Sequence, residues 1–239
     1  MNAKAANVGL RIAAMLLVGG LTTLSAGAQE PAVSSPPGFP PVREGTVEVA
    51  PLAQSPLNET MRSALLARRD AQHSQGWTLA SEEQAQAIDG YFEDDQVKRQ
   101  LKPTLLDLQT DLRIVPAELT GTLLGTARIE GVLAAGGFVD GGWTGLARAM
   151  TVRDLGRVVL EEYDYRAAGS HIVIAEEMVD SELNGYPVLY SVWRAPSGKA
   201  WTEIRWFTPN KEFRLYVGKE IQKNDRLYEQ LMRLMSALT

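Results

Sequence analysis

The residues best suited to chemistry are Asp164 and His171, which lie on either side of a short segment rich in turn-forming residues. If residues 166–169 form a hairpin loop, Asp164 lies opposite His171 on the next strand. A carboxylate beside an imidazole can orient it as a general base, which would suit a hydrolase. An ordinary cross-strand pair is the simpler interpretation, because neither Ser170 nor Ser191 lies in a Gly-x-Ser-x-Gly motif. We therefore predict no catalytic residue.

Acidic residues concentrate in two nearby segments, 161–164 and 176–177. Carboxylates from two strands could bind a hard cation such as calcium. However, successive strand residues point to opposite faces, so Glu161 and Glu162 cannot share a site without a bulge. The glycine pairs fit neither a dinucleotide-binding motif nor a P-loop. We predict no metal site and no cofactor, and the ligand-binding residues stay unassigned.

Strand-like runs fill the chain after Trp143, and short turns with Gly, Pro, Asn or Asp separate them. The runs are 143–152, 157–165, 170–179, 186–194, 200–207 and 212–217. Connections this short join antiparallel neighbours, because a parallel crossover needs a dozen residues or more. This pattern predicts an antiparallel β-meander of six strands. Most of the aromatic residues also lie here, and we expect them to fill the core rather than stack on a ligand.

Helical patterns precede the strands. Asn58 and Gly76 predict the start and end of one helix, and Ser81 with Gln84 forms a capping box for a second. An apolar stripe at helical spacing follows within the helical region that ends at Arg113, and Pro103 should break this stripe and open a last helix. The stripe consists of Val97, Leu101, Leu105, Leu108 and Leu112.

The segment from residue 114 to 142 has a mixed pattern. Small or apolar residues alternate with polar ones from Leu119 to Leu133, which favours one or two bent strands. A helix stays open as the alternative, because Leu124 and interior glycines weaken the alternation.

An apolar stripe at helical spacing ends the chain, after Asn224 as a helix cap. The stripe consists of Leu227, Leu231, Leu234, Met235 and Leu238. A terminal helix of this kind should cover the open apolar face of the sheet. The sequence therefore predicts one α+β domain at residues 56–239. It comprises a helical part (56–113), an antiparallel meander of six or more strands (114–220) and a covering C-terminal helix (221–239).

The beginning of the chain has the features of a secretory signal peptide. Lys4 and Arg11 precede an apolar run at residues 12–24, and Ala26-Gly-Ala28 follows it. The run is too short for a spanning helix, which needs about 20 residues, so we predict a signal peptide at 1–28 cleaved after Ala28. An uncleaved anchor is the alternative.

Residues 29–55 are predicted to be a flexible tether. Seven of the twelve prolines lie between residues 31 and 56, and proline favours an extended, poorly ordered chain. A spacer is the favoured interpretation, with a ligand for a polyproline-binding groove as the alternative.

Composition limits the function. The chain has no cysteine, so we expect neither a disulfide nor a lipoprotein anchor, and an exported, alanine-rich chain of this kind suits the bacterial periplasm. The net charge of −5 gives no general attraction for nucleic acid or for an anionic membrane. After processing we expect no stable transmembrane segment.

The hairpin rhythm of residues 184–216, with Asn184-Gly-Tyr-Pro-Val188 and Gly198-Lys-Ala-Trp201, resembles sensory domains of exported anti-sigma regulators. It also resembles other small periplasmic modules built from a sheet and a helix. No site residue follows from this resemblance.

Our leading hypothesis is a periplasmic, non-catalytic binding or interaction module, in envelope assembly or sensing, with a protein or a small apolar ligand as its partner. The alternative is a carrier or chaperone for an apolar ligand held between the sheet and the helix. A hydrolase that uses Asp164 and His171 is the third hypothesis.

Overall fold

The structure of the protein, a computed structural model, describes residues 45–238. The predicted signal peptide and most of the predicted tether lie outside the described residues. The last part of the predicted tether contains a strand, β1 (Thr46–Ala50), which pairs in parallel with β6 (His171–Ala175). The sequence did not predict this strand.

Eight strands form the main sheet. They are β2 (Thr78–Leu79), β3 (Arg128–Val139), β4 (Gly142–Val152), β5 (Gly156–Asp164), β7 (Ser181–Leu183), β8 (Tyr186–Arg194), β9 (Ala200–Phe207) and β10 (Lys211–Val217). Their order is β2-β8-β9-β10-β5-β4-β3, and β7 also pairs with β8. The β2–β8 pair is parallel and the other pairs are antiparallel. The α+β class is therefore confirmed, but the sheet is mixed rather than purely antiparallel.

Within residues 45–238, four α-helices accompany the sheet: α1 (Glu59–Gln75), α2 (Glu82–Glu93), α3 (Asp95–Gln100) and α4 (Arg226–Ala237). Asn58 caps α1 by accepting a hydrogen bond from the amide of Met61, and Gly76 ends it in the left-handed conformation. Ser81 and Gln84 form the predicted capping box at the start of α2. These three predictions are confirmed. The cap of α4 is Asp225 rather than the predicted Asn224.

The two faces of the sheet are covered by different helices. On one face, Leu231, Leu234 and Met235 of α4 pack against residues such as Trp206 and Phe213. This confirms that the C-terminal helix covers the sheet. On the other face, α2 and α3 contribute Ala85, Ile88, Tyr91 and Val97 to a second cluster with alanines of β4 and with Trp193 and Trp201.

The predicted six-strand meander is wrong at β6. Asp164 of β5 pairs with Lys211 of β10, and β4 binds the other edge of β5, so neither edge of β5 is available to β6. The turn at residues 166–169 forms, since the amide of Ser170 donates to the carbonyl of Tyr165. The chain then leaves the sheet and pairs with β1. The six longest strands of the sheet instead form two three-stranded units, β3-β4-β5 and β8-β9-β10, joined where β5 meets β10, and the short strands β2 and β7 pair with β8.

The predicted helix after Pro103 is also wrong. Only a 3₁₀ turn forms, at Leu105–Leu108, because the main chain of Lys102 makes two hydrogen bonds with Val132 of β3. The leucines of the stripe still pack inward, against Val132 and Leu146.

The strand predicted from Leu119 begins only at Arg128. The preceding segment is folded into tight turns instead. At Gly125 any side chain would collide with the main chain, because an added Cβ would lie 2.5 Å from the carbonyl oxygen of Leu119. Leu124 in this segment is fully buried beneath the sheet face that α4 covers.

Candidate functional site

Five charged side chains lie together on the sheet face opposite α4. Because side chains of a strand alternate between faces, adjacent strands β5, β10 and β9 place them side by side. We call this set the charged strip: Glu161, Glu203, Arg205, Glu212 and Arg214. The neighbouring part of this sheet face packs under α2 and α3, so a group of charged side chains is unusual here.

Arg214 is the centre of the charged strip. Its Nη2 lies 2.9 Å from Oε1 of Glu212, whereas its Nη1 is 3.9 Å from Oε2 of Glu161 and its Nε is 3.9 Å from Oε1 of Glu203. Arg205 donates from Nε to the same Glu212 oxygen at 2.8 Å. Among the three carboxylates, only that of Glu212 is close enough for hydrogen bonds, and Nη1 of Arg214 also donates to the hydroxyl of Tyr216 at 3.3 Å.

Neutral side chains from the surrounding elements complete the site. The hydroxyl of Tyr91 on α2 donates to Glu161 at 2.8 Å, and the indole nitrogen of Trp193 on β8 donates to Glu203 at 3.0 Å. The guanidinium of Arg68 on α1 lies 4.9 Å from the centre of the Trp193 ring. Side chains of α1 and α2 therefore pack against the sheet at the charged strip.

The side chains of the charged strip differ in how far they are buried. The side chains of Glu161, Glu203 and Arg214 are 21%, 17% and 14% exposed, so solvent reaches them. Arg205 and Glu212 are almost fully buried. The Nε atom of Arg214 is also buried, and it donates no hydrogen bond to any residue in the described part of the chain. A buried donor without a partner is costly, and functional sites are where proteins retain such costs.

The environments of two glutamates shift their pKa values in opposite directions. Burial raises the pKa of Glu161 above its ordinary value, although Arg214 and Tyr91 oppose this. Burial alone would also raise the pKa of Glu212. The two guanidinium groups of Arg205 and Arg214 outweigh burial, and the pKa of Glu212 falls to about 2.

These shifts predict opposite effects of two matched substitutions on stability. The pKa of Glu212 is depressed from 4.5 to about 2. Its contribution, roughly 3 kcal/mol, is therefore present above about pH 4.5 and is lost as the pH falls towards 2. Glu212→Gln should thus lower the free energy of unfolding at pH 7, and the difference from wild type should disappear in acid.

Glu161→Gln is the matched comparison. Its pKa is raised in the folded protein, so its ionisation costs stability as the pH rises through that value. This variant should be at least as stable as wild type at pH 7. Urea unfolding of both variants between about pH 3 and 7 measures the two effects, and equal destabilisation by both would contradict the assignment.

A second buried ion cluster lies on the other face, near the end of β5, where Glu162 and Arg148 are both buried. They form an ion pair of 2.9 Å, and Lys211 approaches Glu162 at 3.4 Å. Glu162 also accepts a hydrogen bond from the amide of Ala117 at 2.7 Å, and Arg148 donates to the carbonyl of Ala117 at 2.8 Å. This cluster fastens the segment before β3 to the sheet, which is a structural role.

The predicted pairing of Asp164 with His171 is wrong. His171 lies opposite Thr46 on β1, with its Nδ1 2.8 Å from the Thr46 hydroxyl and its Nε2 3.4 Å from Glu48. Asp164 accepts a hydrogen bond from the amide of Ala167 within the turn. The reason is the departure of β6 from the main sheet, which separates the two residues that a hairpin would have paired.

The acidic segments are divided as strand alternation requires. Glu161 belongs to the charged strip, whereas Glu162 faces the opposite side. Glu177 lies in a 3₁₀ turn at Glu176–Met178 and accepts a hydrogen bond from the amide of Leu52. Within residues 45–238, no three His, Asp or Glu side chains are grouped in a way that could hold a metal ion.

A shallow pocket lies beside the outer edge of β8, between α1 and the 3₁₀ turn. It lies beside the middle of β8, which pairs with neither β7 nor β2. Side chains protect the edge amides there, since Tyr190 donates to Asp180 and Val192 donates to Gln72, each at 2.8 Å. We interpret these contacts as edge protection, which prevents pairing with other strands.

The sequence did not single out the charged strip. Alternation along β9 and β10 places Glu203, Arg205 and Arg214 on the polar face of their strands, but it could not show that helices enclose that face. One sequence pattern could have indicated the site: on both β9 and β10, an acidic residue is followed two positions later by a basic one. In the observed register Arg214 lies directly opposite Arg205, so the opposite charges meet diagonally, Arg205 with Glu212 and Arg214 with Glu203.

Comparisons with protein-family models, with curated proteins and with solved structures found no match for this chain. None of the helices in residues 45–238 is long and apolar enough to cross a lipid bilayer. The functional argument therefore depends on the geometry of the site.

Proposed function

We propose that this protein is a non-catalytic binding module of the bacterial periplasm, and that the charged strip is its binding surface. The observation that carries the proposal is the arrangement around Arg214. Two carboxylates that solvent reaches, those of Glu161 and Glu203, stand 3.9 Å from its guanidinium without bonding to it directly. Such a gap leaves hydrogen-bonding capacity for a ligand or a bridging water.

Binding suits this site better than catalysis. General acid–base catalysis needs a group whose pKa lies near the working pH. Glu212, with a pKa of about 2, stays ionised, and the pKa of Arg214 is raised by the carboxylates around it, so that it stays protonated. Glu212 and Arg214 can therefore orient a ligand without exchanging protons with it.

The carrier hypothesis is the second candidate, with a ligand between α4 and the sheet. Leu231, Leu234 and Met235 are buried in contact with the apolar face there. An apolar ligand in this place would have to displace these side chains, whereas a ligand of the charged strip needs no such displacement. The charged strip therefore supports the leading proposal.

Amide chemical shifts would test the binding surface. We expect a low-molecular-mass extract of the bacterial envelope to shift amide signals of β5, β9 and β10 in the ¹⁵N-labelled protein. Arg214→Lys should reduce these shifts, and Lys98→Ala, an exposed control on α3, should not. Shifts centred on α4 would favour the carrier, and the absence of shifts at the charged strip would overturn the proposal.

The proposed export can be tested independently. We expect the protein recovered from the periplasm to begin at Gln29, because Ala26-Gly27-Ala28 follows the apolar run. Intact-mass measurement of the exported protein checks this. A chain that retains residues 1–28 in the membrane fraction would contradict it and support an uncleaved anchor.

A further inference from the structure

We infer that the charged strip binds an uncharged, hydroxyl-rich ligand of the saccharide class. The inference rests on the proposed function and adds the chemistry of the ligand. It follows from the charge balance of the strip, from the spacing of its charged groups and from the hydroxyl groups at its border.

The charges balance when Arg68 of α1 is counted together with the five residues of the strip. Its three glutamates face Arg205 and Arg214, and Arg68 of α1 acts electrostatically on Glu203 from above. Three negative and three positive groups leave no net charge to attract an anion or a cation. A charged ligand would also have to break one of these pairs and leave its partner uncompensated, which is costly in a partly buried site. A neutral ligand avoids this cost.

The spacing of the groups suits hydroxyls. A hydroxyl both donates and accepts hydrogen bonds, so one such group can donate to a carboxylate and accept from a guanidinium. The 3.9 Å separations of Arg214 from Glu161 and from Glu203 are too long for a direct hydrogen bond. Neighbouring hydroxyls of a sugar ring could bridge both of these gaps. The two carboxylates are held in place for this by one neutral donor each, Tyr91 for Glu161 and Trp193 for Glu203.

The border of the strip offers two further hydroxyls. Tyr163, on the same face of β5 as Glu161, lies 2.7 Å from the hydroxyl of Ser170 through its own hydroxyl. Both side chains are only partly buried. The ring of Tyr163 also lies close to the main chain at Gly136, where an added Cβ would lie 3.0 Å from the ring. Tyr163 is therefore fixed in position as an aromatic edge with polar groups beside it.

Titration of the full folded protein with defined probes tests the ligand class. The neutral probes are a glucose tetramer and an N-acetylglucosamine tetramer, and the charged controls are spermidine and citrate. We expect a neutral tetrasaccharide to shift amides of β5, β9 and β10. Its dissociation constant should stay constant between about 50 and 500 mM NaCl, because screening affects charged ligands and not neutral ones.

Two variants and a control locate the binding. Glu203→Gln and Arg214→Lys should each weaken tetrasaccharide binding about tenfold or more, since each removes a hydrogen bond to a charged group. Glu59→Gln, which changes an exposed glutamate on α1, should bind as wild type does. Amide spectra confirm that each variant is folded, and the salt series on the wild-type protein does not depend on the variants.

Three results would overturn the inference. One is the absence of shifts at the strip with either tetrasaccharide, and another is tetrasaccharide binding that neither variant weakens. The third is salt-dependent binding of spermidine or citrate at the strip in place of the tetrasaccharides. That last result would leave the strip as a binding surface and refute only the ligand class, whereas failure of the envelope extract to shift the strip would refute the proposed function itself.

Discussion

Glu162→Gln is expected to lower the free energy of unfolding by about 3 to 5 kcal/mol, because it leaves a buried positive charge without its partner. Glu162 is fully buried, and its carboxylate lies 2.9 Å from Arg148. Burial already lowers the pKa of Arg148, and Glu162 opposes that effect. For a domain of this size, the loss corresponds to a fall in Tm of roughly 6 to 20 °C, which a thermal melt followed by circular dichroism would measure.

Glu59→Gln is the matched control for this prediction. It makes the same chemical change in an ion pair with Arg62 at the surface, where the glutamate side chain is 91% exposed. An exposed pair of this kind contributes little, so its Tm should equal that of wild type. If Glu162→Gln also melted as wild type does, the charge of Glu162 would not hold Ala117 and the segment before β3 against the sheet.

Leu231→Ala is expected to cost about 2 to 5 kcal/mol, because truncation of a buried leucine loses apolar contact and leaves a cavity. Leu231 lies in the middle of the apolar stripe of α4 and is fully buried. Thermal or urea unfolding of the purified variant measures the loss.

Arg233→Ala provides the comparison on the same helix. Arg233 is exposed on the outer side of α4, so its removal should hardly change Tm. A membrane or partner contact through the apolar stripe would give a different result. In that case Leu231→Ala would weaken association and leave the Tm of the isolated domain unchanged.

Local sequence patterns predicted the parts of the fold that depend on interactions between residues close together in the chain. The caps at Asn58 and Ser81 and the stop at Gly76 each depend on hydrogen bonds or backbone angles within a few residues. Strands β4, β5, β8, β9 and β10 were predicted within one residue, because turns and alternation mark their ends, whereas β7 lies between two predicted runs and was missed. Burial of the α4 stripe followed from its spacing.

Pairing over long distances could not be predicted in this way. The choice of β10 rather than β6 as the neighbour of β5 depends on which strand gains more by packing, and turn length does not contain that information. The same limit applies to Pro103 and the residues after it, where two hydrogen bonds between Lys102 and Val132 replace helical ones.

The charged strip was missed for a related reason. Alternation places Glu161, Glu203 and Arg214 on the polar face, and a polar face is ordinarily wet. Their partial burial comes from Tyr91 on α2 and Arg68 on α1, which are distant in sequence. The polar face becomes a partly enclosed site only because these helices pack against the sheet.

The junction of β5 with β10 has a consequence for how the chain reaches its native state. The units β3-β4-β5 and β8-β9-β10 are each built from hairpins between neighbours in sequence, which form quickly once their turns are in place. Their junction pairs Asp164 with Lys211 across a long stretch of chain, so the loss of loop entropy precedes the gain from pairing. We expect docking of the two preformed halves to limit the folding rate. Until they dock, each half exposes an unpaired strand edge, and during this period a newly made chain is most prone to aggregation.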